Sequence, residues 1–171
     1  MFDNLRHDTR RLLDIKKKRF LLYVLESLLF ENGYQAVVLY RMAHWFRRHR
    51  IPVLGPLLAR LSILLTGVDM APGAVIGPGL FVSHGTGLVV GAHVRIGAHA
   101  TLLHQVTIGA PSGPRILEMP TLGDNVFIGT GSRLIGGITI GDDVFIGVNC
   151  LVTRDIPSGS KVTLDAGIRI E

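Results

Sequence analysis

Two histidines in this 171-residue chain stand at a spacing that chemistry can use. His84 is the third residue of a six-residue frame beginning at Val82. His104 is the third residue of the frame beginning at Leu102, three frames later. An imidazole titrates close to neutrality and can take a proton from a hydroxyl at physiological pH. A pair on one edge allows three readings: a general base with an orienting or donor neighbour, a metal site, or a polar ladder without a role. Two histidines make a poor zinc site, which needs three or four ligands, and no metal is expected. His93 and His99 take the fourth place of adjacent frames and so fall on different sides. The chain has no GxSxG, P-loop, HExxH or dinucleotide fingerprint.

The frames themselves are the element that must position these side chains. An aliphatic residue recurs every six positions: Met70, Ile76, Val82; Val90, Ile96, Leu102, Ile108; Leu122, Ile128, Leu134, Ile140, Ile146, Val152. The next residue is often Gly, and the fifth is small or aliphatic, as at Ala74, Thr86, Val94, Ala100, Val106, Val126, Ser132, Val144 and Cys150. A fixed short period with this glycine load argues against helix and for a parallel β-helix, three frames to a coil. The fold expected is mainly β, with about four coils. His84 and His104 then stack about one strand spacing, ~4.8 Å, apart. The phase breaks twice. Val82 to Val90 carries two extra residues, expected to bulge near Gly87 and Leu88. Ile108 to Leu122 carries the longer excursion GAPSGPRILEMP, and such insertions are loops that often bind ligands.

Ahead of the repeats, helical spacing predicts one helix over 3–31 stopped by Asn32-Gly33, a second over 34–50 and a third over 54–65 ending at Gly67. This helical region should cover the open edge of the first coil. The expected organisation is 1–66 helical, 67–160 β-helix and 161–171 a tail, with one further strand allowed. Net charge is +5 and the excess lies in residues 1–60. No aromatic interleaving accompanies it, so a solvated helical face is favoured over nucleic-acid binding. The single cysteine, Cys150, excludes an intrachain disulfide and is read as a small inward residue. No signal peptide is visible, and FLLYVLESLLF is too short to span a bilayer. The expected location is cytoplasmic, with no more than weak peripheral association at the inner face of the membrane.

The run GVDMAPGAVIGPGLFVSHGTGLVVGAHVRIGAHATLLHQVTIGA, followed by PTLGDNVFIGTGSRLIGGITIGDDVFIGVNCLVTRDIP, resembles the serine acetyltransferases among the left-handed β-helix, hexapeptide-repeat acyltransferases. The resemblance covers roughly residues 34–160. It implies the hand of the coil, acetyl-CoA as co-substrate, direct transfer to a hydroxyl, and a homotrimer with sites between subunits. The family's catalytic histidine falls on His84 and its supporting carboxylate on Asp69; the repeat alone does not place Asp69 beside His84. The cofactor-lining motifs fall on Gly109 and Ala110 and on Gly129, Thr130 and Ser132, with Val148 one coil further on.

The acceptor side departs from the family pattern. An acidic residue before the catalytic histidine is Ser83 here. The Arg-His pair of the loop is Glu118 and Met119, with Arg115 able to stand in. Ser83, His104, Arg115, Glu118 and Met119 are therefore the expected acceptor pocket. A zwitterionic amino acid needs a fixed anion and a fixed cation, and neither is at its family position. These departures favour a saccharide hydroxyl as acceptor, as in the similar exopolysaccharide and colanic-acid acetyltransferases. The alternatives are a serine O-acetyltransferase with an altered pocket and an inactive trimeric scaffold.

Overall fold

A computed structural model of the chain describes residues 2–17, 20–111 and 113–164. Among the described residues four helices precede fourteen short strands: α1 Phe2–Lys16, α2 Phe20–Phe30, α3 Asn32–Arg48 and α4 Leu54–Thr66. The strands run in threes around a prism. The first rung is β1 Asp69–Met70, β2 Val75–Ile76 and β3 Phe81–Ser83; the second is β4 Val89–Val90, β5 Arg95–Ile96 and β6 Thr101–Leu103. The third is β7 Thr107–Gly109, β8 Thr121–Leu122 and β9 Phe127–Ile128; the fourth is β10 Arg133–Ile135, β11 Thr139–Ile140 and β12 Phe145–Ile146. β13 Leu151–Val152 and β14 Lys161–Val162 lie on the last turn. Like strands stack in parallel as three sheets, β1-β4-β7-β10-β13, β2-β5-β8-β11 and β3-β6-β9-β12-β14. The solenoid has about five turns rather than four.

Every aliphatic position of the six-residue period is buried along the axis, including Leu102, Ile108, Ile128, Leu134 and Ile146 at 0% exposure. The fifth positions fill the corners, and Cys150 is buried and free. One corner departs from expectation. Thr86 is exposed, while Leu88 is buried in its place and its carbonyl accepts the Asp69 N–H. The two extra residues of this turn are therefore His84 and Gly85, not Gly87 and Leu88. Ser83 pairs with Leu103 below the turn, and Gln105 N–H reaches Thr86 O above it, so the chain between them must loop out. The tail expected from residue 161 begins in the fold, since β14 pairs with β12; its residues 165–171 lie outside the described ones.

The helices close the open edge of the first rung with side chains rather than with a further strand. Tyr40 donates to Ala74 O at 2.9 Å, and Arg41 donates to Ile76 O at 2.6 Å and Gly77 O at 2.7 Å. Asp8 accepts the Leu80 N–H at 2.8 Å, and Arg11 donates to Gly79 O and Ala100 O. Unpaired strand groups would otherwise be a template for aggregation. Arg41, one of the basic residues of 1–60 expected on a solvated helical face, is instead buried beside Asp8. Its Nε and Nη2 meet the two carboxylate oxygens at 2.8 and 3.0 Å.

The expected helix over 3–31 is two helices, with Lys17 in the left-handed region at φ 53° between them. Gly33 does not cap a helix end; it lies in the first turn of α3. A Cβ there would sit 2.1 Å from Val82 O, so glycine is what lets α3 pack onto β3. Gly67 ends α4 in the left-handed conformation, as expected. No helix among the described residues is long and apolar enough to cross a membrane.

Candidate active site

The prism has three long edges, and the chemistry-bearing residues divide between two of them. The edge where β3 turns into β4 carries the bulge with His84. Its φ is 55°, in the left-handed region that the solenoid also uses at His99, Gln105, Asn125, Asp143 and Asn149. Gly85 behind it is buried, and a Cβ there would lie 2.6 Å from Val68 Cγ2. The backbone must therefore tuck in at Gly85 as the imidazole of His84 is carried outward into solvent.

His104 on the next rung is its neighbour, as expected, although Thr86 takes the register position below His104. The two rings are 6.4 Å apart between centroids and tilted 83° to each other, an edge-to-face pair. His104 Nδ1 lies 3.4 Å from Thr130 Oγ1 on the third rung. The register continues from Thr130 to Val148, which is 60% exposed. Thr130 and Val148, both expected to line the cofactor groove, thus form one column with the two histidines. Gly129 and Ser132 do not present side-chain surface. Gly129 is overlain by the Gly147 backbone, at 2.7 Å from where a Cβ would be. Ser132 is fully buried; it donates to Gly147 O at 2.7 Å and accepts the Cys150 N–H at 3.0 Å. Its hydroxyl is consumed by the corner it fills.

The 110–119 excursion leaves from a different edge, between β7 and β8. Arg115 and Glu118 are exposed and face each other across it at 3.8 Å. Met119 turns inward; its Sδ lies 3.3 Å from the His93 N–H and against Gly91. Gly109, at the head of this loop, has open space where a Cβ would be, and Ala110 follows it. The expected acceptor pocket is therefore not assembled in one chain. Ser83 and His104 stand on one edge, and Arg115, Glu118 and Met119 on another, because the two insertions leave the coil from different corners of the triangle.

Asp69 opens β1, its side chain half-buried and pointing out of the prism. It lines a cleft of about 630 Å³ with Arg47, Arg50 and Arg60 between α3, α4 and the first rung. Among the described residues no hydrogen bond or ion pair joins Asp69 to His84, and the two line separate depressions. The bulge carries the imidazole outward from the coil, whereas Asp69 stays in the sheet, with its N–H bonded to Leu88 O.

The depression that does hold His84 is small, about 170 Å³, and is completed by the helical region. Lys16, Phe30, Glu31 and Asn32 face Phe81, Ser83 and His84 across it. Asn32 Nδ2 donates to Thr86 Oγ1 at 3.0 Å and ties α3 to the bulge. Lys16 and Glu31 were not anticipated from the sequence. The repeat arithmetic starts at Met70, and the one signal for their approach, Gly33, reads equally well as a helix stop. No group of three or more His, Cys, Asp or Glu residues suited to a metal occurs among the described residues.

Residues 119–154 match the family described as bacterial transferase hexapeptide (six repeats). The chain is 40% identical over 154 residues to a serine acetyltransferase of Synechococcus elongatus, covering 86% of this chain and 63% of that protein. It is 41% identical over 135 residues to a serine acetyltransferase of Helicobacter pylori, covering 79% of each. The chain belongs to this family of hexapeptide-repeat transferases, as a homologue of the serine acetyltransferases. Its fold matches the structure of serine acetyltransferase isoform 3 from Entamoeba histolytica in complex with cysteine. The TM-score is 0.84 at 28% identity, over 99% of this chain and 60% of that one. It also matches the Neisseria gonorrhoeae serine acetyltransferase in complex with serine, with TM-score 0.84 and 28% identity over 98% and 68%. The chain thus spans less than two thirds of the length of the cyanobacterial relative.

Proposed function

We propose that the chain is an acetyl-CoA-dependent O-acetyltransferase acting on the hydroxyl of L-serine. The observation that carries the reading is His84, held in left-handed backbone and projected over an edge beside His104, in a chain whose relatives are serine acetyltransferases. His84 removes the proton from the acceptor hydroxyl as its oxygen attacks the thioester carbonyl of acetyl-CoA. The tetrahedral intermediate collapses with cleavage of the carbon–sulfur bond. The imidazolium returns its proton to the departing CoA sulfur, so the histidine ends as it began and no acyl-enzyme forms. The resemblance assigns Asp69 to the carboxylate that orients His84; no hydrogen bond or ion pair joins them here, so this role requires the two to approach when substrates bind. Gly109 and Ala110, and Thr130 and Val148, are assigned to the CoA arm. Because they lie on two edges, the full groove requires a neighbouring prism, which supports a homotrimer with sites between subunits.

A second acceptor, a saccharide hydroxyl, is favoured by one observation. Where the family's loop has its Arg-His pair, Glu118 faces Arg115 at 3.8 Å and Met119 turns inward. Thiol release from acetyl-CoA, measured with L-serine and with a panel of sugars, separates the two. Turnover of sugars with none of L-serine overturns the first acceptor; no thiol release with either removes the transferase reading.

A further inference from the structure

If the acceptor is an amino acid, as proposed above, its charged ends need partners, and the three positions expected to supply them do not. Ser83 is uncharged, Met119 is turned toward the coil, and Glu118 is paired with Arg115 at 3.8 Å. The depression that holds His84 nevertheless contains one anion and one cation. Glu31 and Lys16 both line it, 3.4 Å apart.

Glu31 is held there by the packing of α3. Gly33, two residues on, brings the helix against Val82 O, and Asn32 bonds the Thr86 hydroxyl of the bulge. Glu31 occupies the N-cap position of α3 yet makes no side-chain cap hydrogen bond, so its carboxylate is not spent on the helix end. Its two contacts, from Tyr23 Oη and Lys16 Nζ, both fall on Oε1. Oε2 has no hydrogen-bond or ion-pair partner among the described residues. A carboxylate with one oxygen anchored and the other open, beside a lysine and an imidazole, is suited to an ammonium group.

We infer that Glu31 and Lys16 are the acceptor-recognising pair of this site. Glu31 Oε2 accepts from the acceptor's ammonium group, Lys16 Nζ meets its carboxylate, and its hydroxyl lies toward His84. The pair substitutes from the helical region for the family positions changed at Ser83, Glu118 and Met119. The small depression suits a single amino acid.

The test uses the full chain, three acceptors and two variants. L-serine carries all three groups, 3-hydroxypropionate lacks the amine and ethanolamine lacks the carboxylate. Glu31→Gln should raise KM for L-serine at least about tenfold, the usual scale for a lost charged hydrogen bond, with kcat and the KM for acetyl-CoA little changed. It should leave 3-hydroxypropionate unaffected, so the preference for the amine collapses. Lys16→Met should do the same for the carboxylate, with ethanolamine as the unaffected acceptor. Unaltered thermal melting and acetyl-CoA binding mark each variant as folded, and Glu31→Asp should recover part of the loss. Wild-type turnover of L-serine with both preferences intact in the variants overturns the assignment alone. Absence of L-serine turnover by the wild type overturns the acceptor on which it rests.

Discussion

His84 and His104 stand edge to face on successive rungs, 6.4 Å between ring centroids, although twenty positions separate them in the chain. An ordinary coil would separate them by eighteen; the bulge at His84-Gly85 accounts for the difference. The bulge also makes the two residues unequal. His84 is lifted out of the coil and His104 stays within it, its Nδ1 3.4 Å from Thr130 Oγ1. His84→Ala should therefore lower kcat by roughly 10²–10⁴, the usual worth of a positioned base. His104→Ala should act mainly on the acceptor KM. Steady-state kinetics with acetyl-CoA held saturating separates the two, and equal losses of kcat would contradict the assignment of His84 alone as base.

The Asp8–Arg41 pair is buried, bidentate and bonded on to strand backbone at Ile76, Gly77 and Leu80. Removing one partner strands the other charge, at about 3–5 kcal/mol. Arg41→Met and Asp8→Asn should both unfold at markedly lower denaturant, by circular dichroism in urea. A change within experimental error in Arg41→Met would show that the first rung does not depend on this cover.

Ser132 separates a structural from a cofactor role within one family motif. Its hydroxyl serves Gly147 O and the Cys150 N–H inside the corner, so Ser132→Ala leaves two buried groups unpaired, at about 1–3 kcal/mol. Melting temperature should fall while KM for acetyl-CoA stays put. The reverse result would place this side chain in the cofactor groove.

Acid should weaken the fold in part through His44. Burial, the largest cause, holds its imidazole below its ordinary value; the hydrogen bond to Pro72 O opposes this, and Arg41 and Arg48 reinforce it. The folded state thus prefers neutral His44. Its contribution to stability is complete above the unfolded value, near 6.5, and is lost as pH falls from there through the lowered folded value. His44→Gln can still donate to Pro72 O but does not titrate. Its melting temperature should fall less than the wild type's between pH 7.5 and 5, and identical pH profiles would exclude His44 as a contributor.

Much of the architecture was legible because a solenoid repeats one local rule. Each aliphatic position of the period is buried, and counting frames brings His84 and His104 to the same edge on successive rungs. The errors fall where the rule is interrupted. The two-residue bulge was expected near Gly87 and Leu88, since hydropathy alone does not show which residues of SHGTGLV leave the coil. Leu88 is the apolar residue that the corner retains. Gly33 looked like a helix stop, because a glycine demanded by close packing and one demanded by a left-handed cap are the same letter. Arg41 looked like a surface charge, since its partner Asp8 lies thirty-three positions away and on another helix.

By itself the sequence determined the prism, because six-residue periodicity of apolar and small residues has one compact solution and needs no distant partner to express it. It paired two imidazoles on one edge, but the period did not show which of them leaves the coil. Only the tertiary structure decided what surrounds His84. The helical region packs on the first rung through a glycine contact and scattered polar bonds that obey no period, and that packing brings Lys16 and Glu31 to the imidazole while the 110–119 loop departs from another edge.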